Sequence, residues 1–400
     1  MLNYAENRFD LSSALSQITD TRIYPQIPTV VIAKAALVMH LARLGSLNGI
    51  EQLKKNRKLH KLLGAHLPSA DTLGRVVSLI DPDTLRAFIH RIYERLKRNK
   101  ALQPSWHGLM ALAVDGHESH KTYKQCCEGC LTREIGAEDN KRTQYYHRNV
   151  TALLVSGGIR FLLDAEPQLP GEDEVAAATR LLERLIENYP RAFDVVIADA
   201  LYARANFINF LIEQKKDVVI VLKANCPELL DDATRFFSDK PPTSVWDDKK
   251  RKLECWDESG FQSGPQIDKP MRVVRSQETK APVRRQLDEK VEIETTTWMW
   301  LTTLSPHRAT TKAVVALGHS RWCVENEGFN ELANHWHANH VYKHDAVAML
   351  NFWLTSLIAY NIFRAFFLLN LKPAVRHKKS MLYFARLILT DLNACLLVPP

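Results

Sequence analysis

The chain has 400 residues, 46% hydrophobic and 24% charged, a balance that suits a folded chain with a sizeable core and excludes disordered and fibrous classes. Residues 1–104 hold 16 Lys+Arg against 8 Asp+Glu, and the other 296 residues hold 37 of each, so the whole net charge of +8 sits in the front. A basic front on a neutral body points to a polyanionic partner, nucleic acid first, or to a solvated helical surface.

Residues 1–104 read as helical. Residues 30–44 are apolar and Ala-rich, with Gly45 as a candidate cap, and residues 49–61 continue as a basic helix. Ser69 and Asp81 each open a further helix, the one from Asp81 running to about Lys100. Residues 109–114 then form a continuous apolar run ending at Asp115, the pattern of a buried strand. A polar, cysteine-bearing stretch follows. Residues 149–155 and 159–163 are strands joined by a hairpin turn at 156–158. Residues 172–189 form an amphipathic helix, 193–198 a strand ending at Asp199, 204–214 a helix and 217–222 a strand. Three strands with an early hairpin, then helix, strand, helix, strand, is the order of an α/β ribonuclease H-like mixed sheet flanked by helices. Residues 226–296 interrupt it with short alternating stretches at 246, 253–255, 271–274, 291–293 and 298–302, which predicts a β-rich insertion.

The main fold then resumes in a helix carrying HSRWCVENEGFNELANHW, where Arg321, Glu325, Gly328, Leu332 and Trp336 are expected on one face. The apolar segment 346–363 approaches the length of a membrane span, but it contains Asn351, Thr355, Ser356 and Asn361; it reads as a buried core helix, and no membrane partner is expected. The expected domains are 1–104 (basic, DNA-binding), 105–225 (catalytic core, first part), 226–296 (insertion), 297–371 (catalytic core with the Glu helix) and 372–400 (helical tail).

Cleavage of phosphodiesters with divalent metal needs oxygen ligands converging on one spot. The first and fourth strands of a ribonuclease H-like sheet are neighbours, so Asp115 and Asp199 would face each other, and Glu325 from the later helix would complete a set. Around these residues the motifs AVDGHE, VIADALYARANF and HSRWCVENEGFNELANH resemble those of DDE transposases of insertion sequences, in the insertion-sequence-four branch. VIADALYARANF is similar to the family's Asp-x-x-Tyr/Phe motif, here Asp199 and Tyr202. HSRWCVENEGFNELANH is similar to its Arg-x-x-x-Glu signature, here Arg321 and Glu325. The gap of 126 residues from Asp199 to Glu325 matches a branch with a β insertion there. The branch signature also has a Tyr seven residues before the Glu and a Lys seven after, both phosphate contacts; these positions are Gly318 and Leu332 here, and His319, Asn326, Asn330 or His335 could substitute.

The resemblance implies a DNA transposase. Asp115, Asp199 and Glu325 would hold two Mg²⁺ (or Mn²⁺), a water activated there would nick the element's end, and the freed 3′-OH would attack target DNA. The partners implied are double-stranded DNA, at inverted-repeat ends and target, and another copy of the chain on DNA. Arg321 would clamp a phosphate or pair with Glu325. Tyr202, Asn326 and Asn330 would join it at the DNA, and Trp298 or Trp300 would stack a flipped base or fill the core. The rival readings are a DNA-binding relic without activity and a metal-dependent nuclease that does not join ends.

The basic run Lys54, Lys55, Arg57, Lys58 is a solvated helix face or a phosphate contact. Cys127 and Cys130 have zinc-knuckle spacing, which with His117 and His120 gives a structural Zn²⁺ site or else a reduced, metal-free loop. His335, His337, His340 and His344 read as a DNA-facing loop or surface. Seven cysteines and a first stretch without the features of a secretory signal fit a reduced cytoplasmic, nucleoid-associated setting. Walker, dinucleotide-binding and Gly-x-Ser-x-Gly motifs are absent from the sequence, which removes nucleotide hydrolysis and serine-hydrolase chemistry.

Overall fold

The computed structural model describes residues 1–105, 108–248, 251–264, 266–280 and 294–393. It is a mixed α/β structure with, among the described residues, ten strands: β1 (Ala111–Thr122), β2 (Leu131–Ile135), β3 (Arg142–Val155), β4 (Arg160–Pro167), β5 (Val195–Ala198), β6 (Asp217–Val221), β7 (Ser244–Asp248), β8 (Arg251–Phe261), β9 (Met271–Lys280) and β10 (Thr295–Thr302). The residues fall into two compact units. A sheet unit comprises Pro104–Asp115 and Tyr189–Cys323; a helical unit comprises Met1–Gln103, Gly116–Asn188 and the chain from Val324 onward. Strand β1 thus begins in one and ends in the other.

In the sheet unit the strand order is β1-β5-β6-β10-β9-β8-β7. The β1/β5 and β5/β6 pairs are parallel and the remaining pairs antiparallel. Ala111–Val114, Val195–Ala198 and residues 218–221 are buried throughout, as parallel strands covered on both faces require. Helices Ala205–Glu213 and Thr311–Ser320 pack on these strands. The expected strands at 246, 253–255, 271–274 and 298–302 lie in β7, β8, β9 and β10, and 291–293 lies outside the described residues. The β-rich stretch opens on a helix, Pro227–Ser238, that the alternating pattern does not announce. Its signals are a proline at the first helical position and Leu229, Ala233 and Phe237 buried four residues apart.

In the helical unit β3 lies between β2 and β1 and also pairs with β4, across a hairpin closed by Val155 and Arg160. The buried Ser156 hydroxyl accepts from Gln103 N and donates to Gln103 O. The expected basic helix 49–61 is broken into Leu47–Glu51 and Arg57–Leu63, because the buried Asn56 caps the latter by accepting from Leu59 N at 3.0 Å.

Helix Ala346–Ala365 is the core of this unit and packs on helices Thr29–Leu41, Ala70–Val77 and Pro82–Arg98 and on β4. By length and composition it could cross a membrane, yet it is largely buried here and its polar residues find partners inside the unit. Asn351 Nδ2 donates to the Val77 and Ile80 carbonyls, each at 2.8 Å. Asn361 donates to Leu162 O at 2.8 Å and accepts from Leu162 N at 3.0 Å. Buried Asp164 ties helices to the sheet, receiving Arg86 Nε at 3.0 Å and Arg184 Nε at 2.7 Å.

Replacing Asn361 by Leu leaves Leu162's buried backbone N–H and C=O without these partners. The variant is expected to lose about 1–3 kcal/mol of stability, read as a lower urea midpoint; an unchanged midpoint would show that the two bonds contribute nothing net.

Candidate active site

The parallel register of β1 and β5 pairs Ala111 with Val195, Leu112 with Val196 and Ala113 with Ile197. Extended by two residues, it sets Asp115 opposite Asp199, and alternation turns both side chains to the same face. Asp199 ends its strand in extended conformation and caps a short 3₁₀ turn, Ala200–Tyr202, accepting from Leu201 N at 2.8 Å. Asp115 Oδ2 accepts from Arg321 Nη1 at 3.2 Å, and both side chains are largely shielded from solvent. Arg321 therefore serves Asp115, in place of the i, i+4 partner that helical spacing suggested. The strand expected to end at Asp115 continues to Thr122, so Asp115 lies within β1 while Asp199 follows the last residue of β5; the two carboxylates offer the hard oxygen donors that a divalent cation takes.

The rest of the AVDGHE motif lies in the helical unit. Gly116 makes room for the Glu174 carboxyl group: a Cβ there would lie 2.5 Å from it. Glu118 Oε1 accepts from Arg133 Nη1 at 2.9 Å and from Arg148 Nη2, and Lys121 Nζ is 3.2 Å from Oε2. Burial pushes the Glu118 carboxyl up, but these three cations outweigh it and hold it down at about 2.

Glu325 stands in a π-helical segment, Val324–Phe329, continued by the α-helix Asn330–Trp336. The expected single face is corrected here. Val324, Gly328, Leu332 and Trp336 form the buried row, and Glu325 is offset from it and exposed. The π turn holds more than four residues per turn, so it rotates side chains off the α-helical spacing. Asn326 and Asn330 are also exposed, and Asn330 Nδ2 donates to Asn326 Oδ1 at 3.4 Å. Nearby Glu327 is tied into its unit by Arg364 at 3.0 Å and Arg160 at 3.4 Å.

Packing accounts for the two positions that depart from the branch signature. A Cβ on Gly318 would lie 2.2 Å from Trp300 Nε1, and Leu332 is fully buried. Of the possible substitutes, His319 is engaged by Glu278, Nε2 to Oε1 at 2.5 Å, and His335 is half-buried. Trp300 is 1% exposed and belongs to the core. Trp298 is half-buried, stacked on Trp300 at 6.2 Å between ring centroids. Trp322, which no motif singles out, is 43% exposed and meets Trp298 edge-on at 6.1 Å. Its only signal in the sequence is its place directly after Arg321, whose guanidinium lies 5.8 Å from the Trp322 ring centroid. The expectation that Tyr202 reaches DNA is corrected: the 3₁₀ turn after Asp199 folds it inward against Phe207, fully buried.

Lys54, Lys55 and Arg57 are exposed, whereas Lys58 is bound to Asp391 at 2.6 Å. Cys127 and Cys130 come together, but with His147 and His344. His117 is elsewhere. Its ring stacks on Phe329 and Trp353, its Nε2 lies 2.6 Å from Asn339 Oδ1, and burial lowers its pKa. His120 groups with Cys126 and His344. His344, expected on a DNA-facing histidine surface, instead has its Nε2 3.8 Å from the Cys130 sulfur.

Residues 106–362 match the family model described as a transposase DDE domain. Comparison with curated proteins finds no match.

Glu118 gives a pH dependence. Its folded value, about 2, lies below the ordinary 4.5, so it contributes stability that is complete above about 4.5 and lost as the pH falls toward 2. Urea midpoints of the wild type and Glu118→Gln are expected to differ at neutral pH and to converge across that window; a difference that persists at pH 2 would contradict the assignment.

Proposed function

Since this chain belongs to the transposase DDE domain family, we propose that it cuts DNA at the ends of a mobile element and joins the freed 3′-OH ends to target DNA. The observation that supports this reading is the parallel register of β1 and β5, which when extended by two residues brings Asp115, within β1, level with Asp199, just past the end of β5, with Arg321 on Asp115.

Asp115 and Asp199 fit a hard divalent cation, Mg²⁺ or Mn²⁺, by their donor type and shared face. Glu325 is assigned as the third ligand on its Arg-x-x-x-Glu motif. Bound there, such cations supply activation of the attacking oxygen and stabilisation of the leaving one. The chain's residues do the rest. Arg321 orients the Asp115 carboxylate through one nitrogen and keeps further donors for a phosphate oxygen. The exposed Asn326 and Asn330 offer amides to the DNA backbone. Trp298 and Trp322 present aromatic surface on which an unstacked base can lie. Lys54, Lys55 and Arg57 meet phosphates, so the basic front, residues 1–104, recognises the element's ends. The active species is a dimer on paired ends, in the cytoplasm at the nucleoid.

The test is a DNA fragment carrying the inverted repeats that flank the reading frame, incubated with purified protein and Mg²⁺. Nicked and joined products are expected. Asp115→Asn, Asp199→Asn and Glu325→Gln are each expected to slow cleavage by about two orders of magnitude or more. Omitting Mg²⁺ and Mn²⁺ from the reaction, without a chelator, should abolish cleavage and leave end binding in place. Cleavage without joining would replace transposition by nuclease activity, and undiminished cleavage by Glu325→Gln would remove that ligand. Replacing Lys54, Lys55 and Arg57 by Ala should weaken end binding and lower the log–log salt slope by about one per residue.

A further inference from the structure

The thiols and imidazoles of the helical unit make a cluster of their own, separate from the carboxylates. The sulfurs of Cys127 and Cys130 lie 3.8 Å apart. His147 Nε2 is 3.4 Å from the Cys127 sulfur and 3.5 Å from that of Cys130, and His344 Nε2 is 3.8 Å from Cys130. All four donor atoms lie within 4.8 Å of one another. A tetrahedron with Zn–S near 2.3 Å and Zn–N near 2.05 Å has an S···S edge of about 3.8 Å and S···N edges of about 3.6 Å. These four separations lie close to four of the six edges of such a tetrahedron, and the other two are within 4.8 Å. We propose that Cys127, Cys130, His147 and His344 form a Cys₂His₂ site for a structural Zn²⁺.

The backbone builds the site from three separate segments. Cys127 and Cys130 lie in the connection from β1 to β2, closed by a bond from Cys130 N to Cys127 O at 3.3 Å. Gly129 has to be small: a Cβ there would lie 3.1 Å from that of Ala346 and 3.6 Å from His147 Cε1. The antiparallel register of β2 and β3 pairs Leu131 with Tyr146, so one step further sets Cys130 opposite His147. His344 is held at the mouth of the core helix, where Asp345 caps the first turn by accepting from Ala348 N at 2.8 Å. Binding displaces the two thiol protons to solvent and ties the β1–β2 connection and β3 to the start of the core helix. Soft thiolates with imidazoles select Zn²⁺ over the hard cations proposed for the carboxylates.

His120, Cys126 and His344 form an overlapping group, so the experiment has to separate the two. Full-length protein, purified without chelator and with thiols reduced, is expected to carry about one zinc per chain. Exchange for Co²⁺ should give the visible bands of a tetrahedral site and sulfur-to-cobalt charge transfer in the near ultraviolet. Zinc should also protect two thiols from alkylation. Cys127→Ser, Cys130→Ser, His147→Asn and His344→Asn should lose the metal; Cys126→Ser, His117→Asn and His120→Asn should keep it. Wild-type protein that takes up neither Zn²⁺ nor Co²⁺ after reduction would overturn the proposal, even if every variant failed to fold. So would loss of zinc in His120→Asn with retention in His147→Asn. Neither result would bear on the DNA cleavage assay, which rests on other residues.

Discussion

Three backbone pairs, from Ala111 with Val195 to Ala113 with Ile197, are the constraint on which the candidate chemistry depends. In a parallel ladder, a slip of one residue turns every side chain on a strand to the opposite face. Such a slip would turn Asp115 to the face away from Asp199 and draw its carboxylate one position into a run that is buried on both sides. The cost of burying that carboxylate therefore favours the observed register, and the register turns both aspartates to one face. Neighbouring strands extend the same logic. β5 pairs with β6 and β6 with β10, and β10 carries Trp298 and Trp300. Arg321 then adds a directional contact to one of the two carboxylates.

The basic front is less free than its formal charge suggests. Arg86 is committed to Asp164 and Glu166, Arg91 to Asp10, and Lys58 to Asp391. Arg43 lies over the Trp336 ring at 4.3 Å, and burial lowers its pKa to about 10. These cations do structural work inside the unit. The cationic surface left for a polyanion includes the turn at Lys54 and Lys55 and the first residue of the next helix, Arg57.

The parallel strands are legible because burial on both faces writes a continuous apolar run, as in 109–114, 193–198 and 217–222. Asp199 is legible for the same reason, as the first charge after such a run. Strand β2 is not: it is mostly polar, with exposed residues alternating along it, and its pairing with β3 is a property of the partner strand. The π segment at Glu325 escapes because α-helical spacing assumes an unbroken turn count. The break at Asn56 is readable in principle, since asparagine before a basic helix is a capping residue. The metal cluster is half readable. Cys127 and Cys130 announce themselves by spacing, but His147 follows Cys130 by 17 residues and His344 by 214, and only strand register and the helix cap bring them in. Nearer histidines such as His117 attract attention because sequence proximity is visible and spatial proximity is not.

Trp300 and Gly318 occupy a single volume between strand and helix, divided so that one residue takes nearly all of it. An aromatic side chain at 318 and an indole at 300 are mutually exclusive in this backbone. A variant that carries a side chain at 318 therefore needs a smaller residue at 300, and the two substitutions are expected to be strongly non-additive.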